Sequence, residues 1–146
     1  MQLTQFTDYS LRVLIFLACK KESSSIDEIS KNYDLSVNHM RKVIHKLGQL
    51  GYIQTSRGKG GGVKLLQRPE NINLGVVIRQ LEPNFDLVEC FTHARPGCKI
   101  SPACRLKEIL AEALNSFLAV FEAYSLADVL SQEEELVKLF GFSLNK

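Results

Sequence analysis

Apolar residues recur at helical spacing along most of this chain and alternate only around one glycine-rich tip. The first helix is predicted from about Thr7 to Lys20. There Leu11, Leu14, Ile15 and Ala18 fall at i, i+3, i+4 and i+7 and make one stripe. A short helix over about 26–33 follows, because Ser25 with Glu28 three residues on is a capping-box pattern. In "SVNHMRKVIHKLGQLG" Ser36 is placed to cap, Met40, Val43, Ile44 and Leu47 form the inward stripe, and Gly51 is placed to end the helix. "YIQTSRGKGGGVKLL" predicts two strands, about 52–56 and 63–66, around the tip. Asn73 caps a helix over about 74–82, with Leu74, Val77, Ile78 and Leu81 inward and Pro83 closing it. Pro102 suits the first turn of a long helix reaching about Tyr124. Ser125 caps a short helix after it, and "QEEELVKLF" forms another.

Two short helices joined by a few residues, the second strongly basic, make a helix-turn-helix, and the hairpin directly after it makes a wing. The predicted fold is mostly α with a small β wing: a winged helix-turn-helix domain plus a long C-terminal dimerisation helix. Three regions follow: 1–82 as the DNA-binding domain, 83–101 as a cysteine-bearing loop, and 102–146 as the dimerisation helix with the C-terminal helices. The long helix carries Leu106, Ile109, Leu110, Ala113, Leu114, Phe117, Leu118 and Phe121. That stripe is wider than a small N-terminal domain covers. A partner helix in a homodimer is the expected cover, and an intramolecular core is the alternative.

Composition narrows the class. The 146 residues are 45% hydrophobic and 23% charged, as in a soluble globular protein. No secretory signal leads the chain, and the apolar run Val13–Cys19 is far too short to span a membrane. A cytoplasmic location is expected, where thiols stay reduced and a structural disulfide is not. The net charge of +2 hides an asymmetry. Residues 1–68 carry 11 Lys/Arg and 5 Asp/Glu, while residues 69–146 carry 7 and 11. Residues 36–68 hold seven basic residues and no acidic one. A field of that sign attracts a polyanion, although a merely soluble basic face would carry the same charges.

With the stripe of helix 37–49 buried, Asn38, His39, Arg41, Lys42 and His45 face outward. Arg bonds guanine edges, Asn bonds adenine, and Lys and Arg hold phosphate. The N-terminal half of such a helix enters the major groove. Asn38, His39, Arg41 and Lys42 are therefore the expected contacts to operator DNA, with Arg57, Lys59 and Lys64 from the wing. No paired catalytic carboxylates, nucleophile triad or phosphate-binding loop stands out, so no enzyme is expected.

Three of the four cysteines, Cys90, Cys98 and Cys104, lie close together with the spacing C-x7-C-x5-C. Zinc sites favour shorter pairs, and thiolates suit iron clusters as well as zinc. Pro96, Gly97 and Pro102 pin a loop able to wrap something larger than one ion. A metal-free thiol switch is the rival.

The segments "MQLTQFTDYSLRVLIFLA", "NHMRKVIHKLGQLGYIQTSRGKGGGVKL", "LGVVIRQLEP" and "CKISPACRLKEIL" together resemble the iron–sulfur winged-helix regulators of the NsrR and IscR kind, over nearly the whole chain. That resemblance implies a homodimer in which Cys90, Cys98 and Cys104 hold an iron–sulfur cluster, with [4Fe–4S] favoured over [2Fe–2S]. In IscR-like members a histidine follows the last cysteine by three residues, but here Lys107 stands there, which favours the NsrR branch. The residues leave four candidates for a fourth ligand: Cys19, His93, Glu89 and Asp8. Read by itself, Asp8 is an acid in a first helical turn, favoured by the helix dipole. The resemblance instead implies that the aspartate of this "FTDY" segment ligates the cluster of the other subunit. It further implies a repressor that senses nitric oxide. A regulator of iron or cluster supply, and a cluster-carrying electron carrier, are the alternatives.

Overall fold

The computed structural model describes residues 2–58, 61–92 and 98–142. Helix α1 (Gln5–Lys20) starts at Thr4, whose hydroxyl accepts from the Thr7 amide at 3.3 Å, and ends at Lys21 in the left-handed region with φ 60°. Its burial is wider than the predicted stripe. Leu14 and Ala18 are buried, and so are Val13, Phe16, Leu17 and Cys19, while Leu11 and Ile15 are half-buried. The cause is position. Helix α1 runs through the centre of the molecule and meets most of the elements named below, and a helix apolar on several sides belongs inside.

Helix α3 (Val37–Gln49) packs on it, and α2 (Ile26–Asn32) packs on α3 as the expected pair. Ser25 caps α2 by accepting from the Glu28 amide at 3.0 Å. Ser36 is the N-cap of α3, yet its side chain makes no capping hydrogen bond. At the other end the Tyr52 amide bonds the Leu47 carbonyl at 3.0 Å and the Gly51 amide bonds Gly48 at 3.1 Å. That Schellman pair needs a left-handed residue, and Gly51 supplies it at φ 76°.

The wing is a two-stranded antiparallel sheet, β1 (Ile53–Ser56) and β2 (Gly62–Leu65), one residue shorter or shifted at its ends relative to the prediction. A third partner is not visible in the sequence pattern. Ser24, before α2, exchanges hydrogen bonds with Val63 at 2.9 and 2.8 Å and ties the wing to the helix pair. Gly62 makes this approach possible, since a Cβ there would lie 2.8 Å from the Ser24 carbonyl oxygen.

Helix α4 (Leu74–Leu81) is capped by Asn73, whose side chain accepts from the Val76 amide at 3.1 Å. The long helix α5 (Arg105–Glu122) begins later than expected. Pro102 belongs to a separate 3-10 turn, Ser101–Ala103, and Cys104 is extended between turn and helix. Helices α4 and α5 cross at Gly75, where a Cβ would lie 2.8 and 2.9 Å from the Glu122 backbone nitrogen and Cα. Asn73 also donates to the Glu122 carbonyl at 2.7 Å, and Arg79 pairs with the Glu122 carboxylate at 2.7 Å. The other end of α5 is uncovered. Leu118 is its one buried residue among those described, whereas Leu106 and Ile109 are exposed.

The chain then returns through α6 (Leu126–Val129) and α7 (Glu133–Leu139) to α1. Phe140 and Phe142 set their rings against Phe16 at 5.2 and 4.9 Å between centroids, closing an aromatic cluster with Tyr33. Among the described residues no helix is long and apolar enough to cross a membrane.

Candidate nucleic-acid interface and cysteine segment

Burial of Met40, Val43, Ile44 and Leu47 fixes which side of α3 meets solvent. Asn38, His39, Arg41, Lys42 and His45 are all exposed on it, with no acidic residue among them. The Arg41 guanidinium lies 3.5 Å from the Asn38 amide oxygen, so these two residues present donors and an acceptor side by side. On the wing, Arg57 and Lys64 are exposed, whereas Lys59 lies outside the described residues. Strand β1 adds Gln54, Thr55 and Ser56, all exposed. The Ser36 side chain leaves the first amides of α3 uncapped.

Beside α3, the first turn of α1 contributes Gln5, Phe6 and Tyr9 to a cleft of about 250 Å³ shared with His39, Lys42 and Val43. Gln5 and Tyr9 are uncharged and lie outside the α1 stripe, so neither charge counting nor periodicity singles them out.

The cysteine segment joins α4 to α5. Cys90 sits in a 3-10 turn, Glu89–Phe91, and Cys104 stands immediately before α5. Cys90 and Cys104 are half-buried and Cys98 is exposed, and all three are free thiols. His93, Pro96 and Gly97 lie outside the described residues. Among the described residues no three His, Cys, Asp or Glu side chains converge into a group able to hold a metal ion. The donor chemistry nonetheless fits a soft iron cluster: three unpaired, solvent-reachable thiols on one segment. Lys107 donates to the Ser101 hydroxyl at 3.1 Å and so braces the turn before α5.

Cys19 is a different kind of thiol. It is buried in α1, and burial, reinforced by the nearby Glu133 carboxylate, pushes it up to about 11. A buried free thiol of this kind packs as a small hydrophobe.

Asp8, on the first turn of α1, forms an ion pair with Arg12 one turn on, at 2.8 Å. A hydrogen bond from Arg12 to the Asp8 carboxylate raises the guanidinium above its ordinary value. The Arg12 guanidinium also lies 5.9 Å from the ring centres of both Tyr9 and Tyr33. Within one chain Asp8 is thus held by Arg12, is about half-exposed, and belongs to no metal-ligand group among the described residues. Nearer the cysteine segment, the Glu82 carboxylate at the end of α4 accepts from the Thr4 amide at 2.8 Å and the Thr4 hydroxyl at 3.1 Å. The start of α1 and the root of the segment are joined there.

Comparison with known proteins places this geometry. The family model described as Rrf2, iron-dependent transcriptional regulator, matches residues 3–132. The chain is 51% identical to the HTH-type transcriptional regulator NsrR of Bacillus subtilis over 141 residues, covering 95% of this chain and 97% of that one. It is 48% identical to the NsrR of Halalkalibacterium halodurans, again over 95% and 97%. Among solved structures it resembles a putative transcriptional regulator from Listeria innocua, with a TM-score of 0.73, 26% identity and coverage of 89% and 86%. It shares its fold with the IscR of T. potens, at a TM-score of 0.71, 22% identity and coverage of 93% and 90%. With the family model spanning most of its length and NsrR relatives matched nearly end to end, this winged helix-turn-helix chain belongs to the Rrf2 family of transcriptional regulators.

Proposed function

We propose that the protein is a nitric-oxide-sensing repressor, acting as a homodimer on operator DNA in the cytoplasm, with an iron–sulfur cluster held by Cys90, Cys98 and Cys104. The observation that carries this reading is the placement of three free thiols on the one segment that connects α4 to α5. A [4Fe–4S] cluster is favoured over [2Fe–2S]. When bound, it supplies iron that nitric oxide can attack. Asp8 is the proposed fourth ligand, offered to the cluster of the partner subunit. As a half-exposed i,i+4 pair, Asp8–Arg12 contributes only about 0.3–0.5 kcal/mol, so Asp8 leaves Arg12 at little cost.

In this reading residues 1–82 read DNA, 83–101 form the cluster-binding loop with Cys104 just beyond it, and the rest of 102–146 dimerises through the uncovered apolar side of α5. Asn38, His39, Arg41 and Lys42 enter the major groove, and Arg57, Lys59 and Lys64 hold phosphates beside it. The two α3 helices then sit about 34–36 Å apart on a pseudo-palindrome. The residues around Gly75, Asn73 and Arg79 couple the cysteine segment to the DNA-reading face, because they lock α4 to α5. Taking the operator from 99:1 bound to 1:99 requires about 5.5 kcal/mol between states. One bidentate base contact contributes about 1–3 kcal/mol, so both half-sites must be disturbed.

The test is anaerobic purification followed by operator binding with and without nitric oxide. Tight binding that nitric oxide abolishes is expected. A cluster-free Cys98→Ala protein that binds as tightly as the loaded wild type would falsify the mechanism. The family's description as iron-dependent favours a second reading, a regulator of iron or cluster supply. Iron-dependent DNA binding indifferent to nitric oxide selects it.

A further inference from the structure

The cleft between α1 and α3 has an apolar floor and a polar rim. Val43 is part of the buried core, and Phe6 and Tyr9 are partly buried against that core. The cleft's lining also includes the polar residues Gln5, Tyr9, His39 and Lys42, and no Asp or Glu. Among the described residues, none of these four groups hydrogen-bonds another side chain or the backbone. Residues with unpaired polar side chains thus line one small space from two helices. At about 250 Å³ it is smaller than the roughly 300–1,000 Å³ of usual small-molecule sites. A single ionic group suits it better than a metabolite.

Docking geometry says which group. An α-helix with its side chains is about 10–12 Å across, and the major groove is about 12 Å wide. A helix such as α3 therefore fills the groove, and whatever flanks its N-terminal half meets the phosphates at the groove's edge. The first turn of α1 is in that flanking place. Phosphate oxygens accept from side chains of these kinds, amide, hydroxyl and ammonium, without sequence preference.

We propose that Gln5 and Tyr9 of α1, with His39 and Lys42 of α3, form a seat for one DNA backbone phosphate in each half-site. The proposal rests on the reading of the chain as a DNA-binding repressor and adds α1 to its interface. His39 and Lys42 then position the protein on the phosphate backbone at the groove's edge, which leaves Asn38 and Arg41 to read bases. It also puts a DNA contact next to Asp8 in the chain, since Arg12 both pairs with Asp8 and lies over the Tyr9 ring. Whatever displaces the Asp8 carboxylate acts on the same helical turn that grips DNA.

The experiment uses the cluster-loaded full-length protein and a duplex selected by it from a random pool. Each phosphate of one half-site is replaced in turn by a neutral methylphosphonate. At one position the replacement is expected to weaken wild-type binding about tenfold, the worth of hydrogen bonds to a charged group. The same replacement is expected to weaken a Gln5→Ala, Tyr9→Phe double variant by about twofold or less, because the contact is already gone. Tyr9→Phe keeps the ring and its packing, and an unchanged thermal midpoint confirms the fold. The double variant is also expected to lose affinity equally for the selected and a random duplex. Losses that multiply at every phosphate, or a double variant that binds as wild type, overturn the seat. A wild-type protein that binds the duplex but shows no sensitive phosphate overturns the seat alone. Failure of the wild type to bind any duplex overturns the repressor reading with it.

Discussion

Adding one methyl group at Gly75 tests the α4–α5 crossing directly. Gly75→Ala places a Cβ 2.8 Å from the Glu122 backbone nitrogen and 2.9 Å from its Cα. Backbone atoms cannot rotate away, so the helices must separate. Overpacking of this kind costs about 1–3 kcal/mol. Against it, alanine is better than glycine in a helix by about 1 kcal/mol. The net expectation is a loss of up to about 2 kcal/mol, or up to about 8 °C in Tm for a chain of this size. The three contacts locked at the crossing, Asn73 to the Glu122 carbonyl, the Leu74 amide to Tyr124, and Arg79 to Glu122, loosen with it. Gly48→Ala is the matched control. It also replaces a helical glycine, but nothing lies within 4 Å of the added atom. There the propensity term stands alone, and a gain of up to about 1 kcal/mol is expected. Thermal melts followed by far-ultraviolet circular dichroism, at one fixed protein concentration, read both. The reasoning fails if Gly75→Ala melts at or above wild type, or if both variants shift in the same direction.

Asn73 has two duties, so Asn73→Ala should lose about 1–2 kcal/mol as a helix cap, and Asn73→Asp, which keeps the acceptor but not the donor to Glu122, should fall between; denaturant midpoints give the order. Cys19 should resist alkylation at mildly alkaline pH while exposed Cys98 reacts, as mass spectrometry of intact protein would show. The raised thiol also gives stability a direction with pH. Above its ordinary 9.0 the unfolded chain releases the proton while the fold keeps it up to about 11. Stability from this group is therefore full below pH 9 and declines through that window. Cys19→Ala should remove that part of the decline, and an identical alkaline profile would count against the assignment.

The elements of this fold were legible in the sequence because their signals are local. Ser25, Asn73 and Ser125 mark helix starts that the structure bears out, and the basic helix is exposed on the side its apolar stripe predicts. Contacts made at a distance left no comparable mark. The Ser24–Val63 bridge, the docking of Phe140 and Phe142 on Phe16, and the Gly75 crossing each depend on a residue far along the chain. The burial of Val13, Phe16 and Leu17 follows from elements packing around α1, which a single-stripe reading does not anticipate. For the same reason Gln5 and Tyr9 passed without notice: their role depends on α3 lying beside them. The cysteine spacing names soft ligands but not the partner that completes them. Pro102 pointed to the right helix and the wrong first turn, because Cys104 is extended and restarts the helix at Arg105.

The aromatic closure has a consequence for how the protein is made. Phe16, on α1, leaves the ribosome more than a hundred residues before Phe140 and Phe142, which cover it. The helix-turn-helix is synthesised early but stays open at its back until α7 is delivered. Long-range closures of this kind slow folding and leave apolar surface bare in the interval. A nascent chain stalled before α7 should therefore be held by chaperones and bind DNA poorly, although α3 and the wing have been made. Emergence of Phe140 and Phe142 would itself license the regulator to act.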